Sequence, residues 1–353
     1  MLVASLLTLG SPHQLTGGYL YHLRLAELAP RHGARIELVS LPVLPFPLPA
    51  AFGRRALRRA GDADVVVVDS IAAAYLAPWR PTPPAVAVLH QPPGGIDHGP
   101  LRRRAQAAMD RALYRHCSLL VLASDTLADD GLPPVPAVVV PPGRDVAPAP
   151  EGPSPDLRHG RHAALLSVGN WVRRKGTLEL LEAFARLPPD LATLHLVGRT
   201  DAEPRYGRRV ATRLARPDLA ARVEVHGPVS RDEVARLYRA ADVFVLASYR
   251  EPYGTVYGEA MAAGLPVVGW RAGNLPHLAD DGREGLVVDP GDRDGLAAAL
   301  AHLAGDAPAR ERMAAAAAER GRRLPTWDET TARFVALLGD VAACGARRRR
   351  RRR

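Results

Sequence analysis

Lysine is almost absent from this sequence. Of the 47 lysine and arginine residues, only Lys175 is a lysine. Where arginine fills nearly every other cationic position, a single lysine indicates a place that favours a compact point charge over a planar guanidinium. Lys175 is therefore a candidate for a functional site before any motif is considered.

Cysteine is also scarce, and long apolar runs are missing. Cys117 and Cys344 lie far apart and form no CxxC pair, which argues against a disulfide scaffold and a cysteine-ligated zinc site. No apolar stretch approaches the roughly 20 residues that a membrane-spanning helix requires. The first ten residues lack the basic start and the cleavage site of a signal peptide, so we interpret them as a buried strand. These absences favour a protein of the reducing cytoplasm.

The excess of positive charge belongs mostly to one end of the chain. The net charge is +10, and residues 347–353 are seven consecutive arginines, which leaves +3 for the rest. Such a run is typical of a segment that contacts an anionic membrane or another polyanion, or of an inert end. We predict a disordered Arg-rich tail over residues 340–353 and no nucleic-acid partner.

The length and the order of the apolar runs predict two α/β domains. A chain of 353 residues is too long for one ordinary core. Short apolar runs alternate with helical patterns in both halves, as in doubly wound parallel sheets. The predicted strands are residues 2–9, 35–40, 63–69, 85–90, 118–123, 137–140, 163–168, 193–197, 223–226, 242–246, 266–269 and 286–288. Residues 147–161 are rich in proline and are interpreted as a linker.

One segment of the second half carries most of the chemical information. The sequence EPYGTVYGEAMAAGLPVV, residues 251–268, follows an apolar strand and has the pattern of a loop, a helix and a strand. It places Glu251 in the loop and Glu259 in the helix, at the sheet edge where ligands bind in open α/β folds. The amides that open the helix near Thr255 favour an anion. Carboxylates beside an anion site suit a ligand with hydroxyl groups on either side of a phosphate.

This segment resembles the Glu-x7-Glu signature of the retaining glycosyltransferases of family 4, which have the GT-B fold. The resemblance implies two Rossmann-like, doubly wound parallel-sheet domains that face an interdomain cleft. Residues 1–146 would form the acceptor-binding domain and residues 162–325 the nucleotide-sugar-binding domain. A last helix, residues 326–339, would pack back on the first domain.

The resemblance also assigns roles in the second domain. Glu251 would contact the donor sugar as a catalytic residue, and Glu259 would bind the ribose of the nucleotide. The loop after residues 163–168 resembles the family motif Gly-Arg-x4-Lys-Gly, in which Lys175 faces the diphosphate. Asn170 stands where the family has arginine, so either Arg173 or Arg174 compensates or the phosphates are held more weakly. The other implied donor-binding residues are Val229, Gly254, Thr255 and Val256.

Two features of the first domain match the family as well. Gly17 and Gly18 follow the first strand, where glycine permits close approach of the backbone to a phosphate. His90 ends the predicted strand 85–90, and the resemblance implies that it contacts the donor sugar near the reacting centre as a catalytic residue. His13 and His98 are weaker candidates for the acceptor side.

The sequence therefore predicts a retaining glycosyltransferase that moves a sugar from a UDP- or GDP-linked donor to an acceptor such as a glycolipid or a cell-envelope glycan precursor. Two alternatives stay open: a non-catalytic nucleotide-sugar-binding homologue, and another GT-B enzyme such as a nucleotide-sugar epimerase. We expect no cofactor and no metal. Asp62-Ala-Asp64 matches the DxD pattern of a metal motif, but it lies at the start of a predicted strand, which is an ordinary place for solvated acidic residues. The expected partners are the nucleotide sugar, the acceptor and, peripherally, an anionic membrane surface in the cytoplasm.

Overall fold

The computed structural model describes residues 1–11, 17–79, 81, 84–145 and 154–352, with side chains as far as Arg347. The chain divides into two compact units. The first consists of Met1–Gly143 together with Pro325–Arg353, and the second of Arg144–Leu324. His13 and much of the predicted linker lie outside the described residues.

A parallel sheet forms the centre of the first unit, with the strand order β2-β1-β3-β4-β5-β6 among the described residues. The strands are β1 (Leu2–Leu9), β2 (Ala34–Leu41), β3 (Val65–Asp69), β4 (Ala85–Leu89), β5 (Leu119–Leu122) and β6 (Ala137–Val139). Strand β3 reads Val-Val-Val-Val-Asp and is buried along its whole length, as expected where helices cover both faces of a sheet. Because side chains alternate between faces, Val66 and Val68 pack into one core while Val65 and Val67 pack into the other.

The helices of the first unit cover both faces of this sheet. They are α1 (Gly17–Leu28), α2 (Gly53–Arg59), α3 (Ala73–Leu76) and α4 (Pro100–Tyr114). Tyr21 and Leu25 of α1 pack on one face. Residues of the other three helices, such as Ala56, Leu76 and Leu113, pack on the opposite face. The unit is therefore a three-layer α/β sandwich.

The second unit repeats the architecture with a different strand order. Its strands are β7 (Ala163–Val168), β8 (Ala192–Val197), β9 (Val223–Gly227), β10 (Val243–Leu246), β11 (Val267–Trp270) and β12 (Gly285–Val288). Among the described residues they form a parallel sheet in the order β9-β8-β7-β10-β11-β12. This is the Rossmann order, which reverses between β7 and β10, and ligands bind at the carboxyl ends of the strands at such a reversal.

Helices flank this second sheet too. They are α5 (Thr177–Phe184), α6 (Pro204–Leu214), α7 (Arg231–Ala240), α8 (Thr255–Ala262), α9 (Leu275–Leu278), α10 (Arg293–Gly305) and α11 (Ala307–Arg323). Three of them have an N-cap residue whose side chain accepts a hydrogen bond from an amide of the first turn, namely Ser230, Asp292 and Asp306. The predicted fold class, α/β with two doubly wound parallel sheets, is confirmed.

The last helix, α12 (Trp327–Arg352), belongs to the first unit. A capping box starts it, in which Glu329 N donates to Thr326 Oγ1 and Thr326 N donates to a carboxylate oxygen of Glu329. Phe334 and Leu338 are buried in the same core as α1. The helix continues to Arg352, so the tail predicted to be disordered has a helical backbone through that residue. Alanine and arginine favour helix, and Val341 is still in the core, so nothing ends the helix at Leu338.

Candidate active site

An ion pair in the second unit lies at the point where the strand order of the sheet reverses. Strands β7 and β10 are direct neighbours, and the loops that follow them bring Lys175 and Glu251 together. Lys175 Nζ donates to Glu251 Oε2, and both side chains are largely buried, with 11% and 15% exposed. Arg174 Nη1 lies 3.8 Å from the same oxygen. Two cations therefore converge on one carboxylate at the edge where the fold places a ligand.

Backbone geometry fixes the position of Lys175. Gly176 follows it with a φ of +65°, and a Cβ atom at this residue would lie 1.9 Å from the carbonyl oxygen of Ala247. Glycine is required here for both reasons. The carbonyl of Arg174 accepts from Tyr249 N at 2.8 Å and from Ser248 Oγ at 3.1 Å. The loop after β7 is thus tied to the loop after β10.

The start of helix α8 borders this ion pair. Gly254 precedes the helix with a left-handed φ of +80°, and no side chain caps the helix. The first amides of a helix, here those of Thr255 and Val256, have no carbonyl partner within it, so they can donate to an anion. Asn274 holds the preceding loop: its Nδ2 donates to Tyr253 O at 2.9 Å, and its backbone N donates to Glu251 O at 2.9 Å.

Glu259 lies one turn into α8 and is mostly buried. Tyr238 OH donates to its Oε2 at 3.2 Å. Burial raises the pKa of the Glu259 carboxyl to about 7, opposed by the charge of Arg231 and by the Tyr238 hydrogen bond. Asp145, which pairs with Arg231, adds to the increase.

Replacing Glu259 with glutamine is expected to stabilise the protein above pH 7. The folded state holds the Glu259 proton up to about pH 7, whereas an ordinary glutamate loses it near 4.5. Between these values the folded state binds more protons, so Glu259 makes the free energy of unfolding fall as pH rises. The full shift corresponds to a ceiling of about 3 kcal/mol. Urea unfolding from pH 5 to 8 should show a flatter pH dependence for Glu259→Gln. The exposed Glu311→Gln variant is the control, and parallel curves for wild type and Glu259→Gln would contradict the prediction.

Asn170 and Val229 lie nearby in the loops after β7 and β9. Asn170 Oδ1 accepts from Arg199 N at 3.0 Å, so the side chain ties the loop after β7 to the loop after β8. This contact gives the residue at the family's arginine position a structural role in this chain. Val229 is partly buried against the core beneath α8.

In the first unit, His90 belongs to a buried chain of polar side chains. His90 Nε2 lies 3.0 Å from His22 Nε2, and His22 Nδ1 lies 3.6 Å from Asp69 Oδ2. His22 and Asp69 are almost fully buried. Asp69 ends β3 and Thr8 lies near the end of β1, so the chain lies where the order of this sheet reverses. Gly18 packs against the ring, because a Cβ there would lie 3.5 Å from His90 Cδ2.

The electrostatics of this chain favour neutral histidines. Burial lowers the pKa of His22 to about 3, and burial together with the charge of His22 lowers the pKa of His90 to about 3, opposed by the charge of Asp69. Burial also raises the pKa of Asp69, although its carboxylate accepts hydrogen bonds from Thr8 Oγ1, Ser70 Oγ and Ile71 N. With the acceptor Asp69 facing its Nδ1, His22 favours the tautomer that is protonated there. His90 then donates through Nε2, which leaves its Nδ1 as a hydrogen-bond acceptor.

Two groups of side chains in the described ranges have donor atoms close enough to hold a metal ion. They are His22, Asp69 and His90 in the first unit, and His159, His195 and Glu224 in the second. In the first group three donors already occupy the Asp69 carboxylate. Asp64, the second aspartate of Asp62-Ala-Asp64, accepts a hydrogen bond from Val3 N at 2.9 Å. It lies at the amino edge of the sheet, opposite to the edge that carries His22, Asp69 and His90. That the reaction needs no metal stays a prediction.

The structure thus brings the predicted residues into two groups, one in each unit. Lys175, Arg174, Glu251 and the start of α8 meet in the second unit, with Glu259 one turn away. Gly18 meets His90 in the first unit, while Gly17 is exposed at the start of α1. Sequence reasoning missed Ser248, Asn274, Tyr238, His22 and Asp69. Only Asp69 had a usable signal, a carboxylate that ends an apolar strand.

Comparison with known proteins finds relatives of part of the chain. Residues 162–306 match the family model described as Glycosyl transferases group 1. The D-inositol 3-phosphate glycosyltransferase of Xylanimonas cellulosilytica is 35% identical over 185 residues, which are 52% of this chain and 43% of that protein. The lipopolysaccharide core biosynthesis glycosyltransferase LpsE of Rhizobium meliloti is 39% identical over 158 residues, 44% of this chain and 43% of LpsE. The chain thus matches less than half the length of these relatives.

Solved structures match over nearly the whole chain and show the fold. Anabaena Alr3699/HepE, in complex with UDP and glucose, has a TM-score of 0.81 and 20% identity, covering 96% of this chain and 100% of HepE. Sucrose-phosphate synthase from Thermosynechococcus elongatus has a TM-score of 0.80 and 20% identity, covering 98% and 100% of the two chains. The chain has the GT-B fold, and residues 162–306 of its second unit match the Glycosyl transferases group 1 model.

Proposed function

We propose that this protein is a retaining glycosyltransferase of family 4 that uses a nucleotide-sugar donor. The observation that carries the proposal is the convergence of Lys175 and Arg174 on Glu251 at the strand reversal of the second unit. Transfer of a sugar from a nucleotide requires stabilisation of a departing diphosphate. A compact cation, a guanidinium and the amides that open α8 supply that stabilisation at a position fixed before the donor binds.

Each residue of the site has a proposed role. Lys175 and Arg174 neutralise the diphosphate, which releases the Glu251 carboxylate to accept hydroxyl groups of the donor sugar. The amides of Thr255 and Val256 donate to a phosphate oxygen. Glu259 accepts a ribose hydroxyl. Because positive side chains and amides already face the phosphates, we propose that no metal ion or other cofactor is required.

His90 is proposed to contact the donor sugar from the first unit. Its Nε2 faces His22, so Nδ1 is the nitrogen that remains for a ligand. In the tautomer favoured by Asp69, this atom accepts a hydrogen bond from a sugar hydroxyl. The ring would then orient the sugar while staying uncharged, because burial keeps its pKa near 3.

A non-catalytic nucleotide-sugar binder is the second candidate, and one observation favours it. Asn170 carries no charge, and its side-chain oxygen is occupied by Arg199 N. If Lys175 and Arg174 do not compensate for the positive charge that Asn170 lacks, donors would bind without efficient transfer. Binding and turnover therefore have to be measured separately.

A panel of nucleotides is expected to single out one base. The midpoint of thermal unfolding should rise with either UDP or GDP and their sugars, because a ligand that binds only the folded state stabilises it by about 2.7 kcal/mol at 100 times its dissociation constant. The titrations are run in EDTA, since the proposal needs no metal. Donor turnover is then followed as release of the diphosphate with sugar acceptors and glycolipids. Stabilisation without turnover would favour the non-catalytic binder, and no shift with any nucleotide would overturn both candidates.

The first unit has a surface suited to an anionic membrane. The exposed large apolar residues of this surface include Val43, Leu44, Leu48, Phe52 and Leu101. The exposed arginines Arg54, Arg55, Arg58 and Arg59 lie on α2, and Arg102 and Arg104 lie on α4. Arg102 lies over the Phe46 ring, 5.4 Å from its centre, which joins the two segments. Apolar groups beside arginines suit a surface that docks on acidic lipid. In the described part of the chain, no helix has the length and apolarity to cross a bilayer.

We therefore propose a cytoplasmic protein that docks on the membrane and uses a glycolipid or another cell-envelope glycan precursor as acceptor. It should sediment with vesicles that contain phosphatidylserine and not with neutral vesicles. Exchanging Arg54 and Arg58 for glutamate should weaken this binding, since each basic residue near such a surface contributes about 1 kcal/mol. Exchanging Arg208 and Arg209, which are exposed on α6 of the second unit, is the matched control. Equal loss in both double variants would contradict a specific docking face.

A further inference from the structure

A cluster of imidazole and carboxylate groups lies at the β8 and β9 side of the second unit. His195 belongs to β8, Glu224 to β9, and His159 to the segment before β7. His159 Nε2 lies 3.4 Å from Glu224 Oε2, and His195 Nδ1 lies 3.5 Å from the same oxygen. These side chains line a cavity of about 280 Å³. None of them has a role in the transfer reaction proposed above.

The tautomer of His195 makes it a ready metal ligand. The ring is fully buried, and its Nε2 lies 2.8 Å from the carbonyl oxygen of Leu157. A carbonyl only accepts, so this nitrogen carries the proton, and the lone pair of Nδ1 accepts a hydrogen bond from His226 Nε2, 3.0 Å away. Thr193 Oγ1, 3.3 Å from the same Nε2, can share that proton. An imidazole that donates one N–H to a backbone carbonyl and turns its other nitrogen to the cluster is the arrangement found around metal-bound histidine.

The separations of the donor atoms fit a small divalent ion. In a tetrahedral zinc site, ligand atoms about 2.0–2.1 Å from the metal lie about 3.3 Å from one another. The two measured separations to Glu224 Oε2 are within a few tenths of an ångström of that value. His226 Nε2 lies 3.0 Å from His195 Nδ1 as its hydrogen-bond partner, and a bound ion would replace this hydrogen bond. The ligand atoms of His159, His195 and Glu224 all lie within 4.8 Å of one another.

Exposure and backbone conformation also suit a binding site. His159 and Glu224 are each about half exposed, at 52% and 51%, while His195 is closed off from solvent. An ion can thus enter from outside and meet a rigid inner ligand. His159 has a φ of +47°, in the left-handed region of backbone conformation that residues other than glycine rarely adopt. This conformation turns its ring towards His195, with ring centres 5.9 Å apart.

We propose that His159, His195 and Glu224 form a binding site for a divalent first-row transition ion, with zinc as the best fit. Two imidazoles and one carboxylate suit such ions, whereas magnesium and calcium prefer oxygen ligands. A bound ion would fasten the segment around residues 157–159 to strands β8 and β9 and stabilise the second unit. The site does not depend on the proposed transferase activity.

The test is metal binding by the full chain, freed of metal by EDTA and dialysed. Titration with Zn²⁺ should show one tight equivalent and raise the unfolding midpoint, and Co²⁺ should give the visible absorption of a four-coordinate site. His159→Gln and Glu224→Gln should each weaken Zn²⁺ affinity at least about tenfold, because even the outer partners of metal ligands contribute 10- to 100-fold. Both positions are exposed, so these variants should fold.

The control variant is His116→Gln, which removes an exposed histidine of the first unit and should leave the tight equivalent unchanged. Unchanged Zn²⁺ affinity in both ligand variants, or equal weakening in the control, would overturn the site. The readouts are affinity, absorption and stability, so they report on the metal site even if no transferase activity is found.

Discussion

The Lys175→Ala variant is expected to lower kcat/KM for sugar transfer by about 10²- to 10³-fold, the usual effect of removing one preorganised group that stabilises developing charge. Lys175 is the group closest to Glu251, and its side chain is only 11% exposed. With the ammonium group gone, the departing diphosphate loses its compact counter-charge. Arg174, 3.8 Å from the Glu251 carboxylate, and the amides that open α8 remain. The stabilisation of the protein by the nucleoside diphosphate should fall in parallel.

Two further variants separate this effect from a general loss of positive charge. Arg173→Ala removes an exposed cation from the same short 3-10 turn and should keep most of the activity. Lys175→Arg preserves the charge, but a guanidinium is larger and planar, so activity should recover only in part. Equal loss in Arg173→Ala and Lys175→Ala would contradict a specific role for Lys175. Full activity of Lys175→Ala would remove the central observation behind the proposed site.

The His90→Ala variant is expected to lower kcat by about 10²-fold, at the low end for groups that act at a reacting centre, while the affinity for the free diphosphate stays unchanged. The reason is that the two units are proposed to have separate roles: the second unit is proposed to hold the diphosphate, and His90 of the first unit is proposed to contact the sugar. Diphosphate binding is measured by calorimetry and turnover by product release. A parallel loss of diphosphate affinity would contradict this division.

His22 is proposed as a positioning residue that acts through His90. The His22→Gln variant should lower kcat about ten- to hundredfold, because small displacements of a reacting group have effects of this size. It should also change the pH profile. Burial is the main cause of the low pKa of His90, and the charge of His22 lowers it as well, so removing His22 lets that pKa rise and the acid side of the activity profile should move to higher pH. A purely structural defect would lower activity equally at every pH. His116→Gln serves as the control for loss of an exposed histidine.

Local sequence patterns predicted the elements of the fold well because the parallel strands are short and buried on both faces. Residues 163–168 were predicted as a strand and form β7 with those bounds. The last helix was predicted to end near Leu338, but it runs to Arg352. The seven arginines suggested a separate solvated tail, and no local signal indicated that alanine and arginine would continue a helix already anchored in the core by Phe334 and Leu338.

Some residues of the site could be predicted from the sequence and others could not, and the difference has a physical reason. Lys175, Glu251 and Glu259 stand beside glycine, proline and apolar runs that mark loops and strand ends, so their type and position were visible locally. His22 and Asp69 are 47 residues apart in the chain, and only the packing of α1 over the sheet places them beside His90. Asn170 appeared as a missing charge until the fold showed its contact with Arg199 N.

The sequence by itself determined the α/β class, the two-unit organisation and which loop residues stand at the carboxyl ends of the strands, because apolar periodicity and glycine placement act over a few residues. Tertiary structure decided which side chains meet. The strand order brings the loops after β7 and β10 together, pairs Lys175 with Glu251, and gathers His159, His195 and Glu224 from three separate segments. Burial, which shifts the pKa values of His90 and Glu259, likewise depends on neighbours distant in the chain and appears only once the chain is packed.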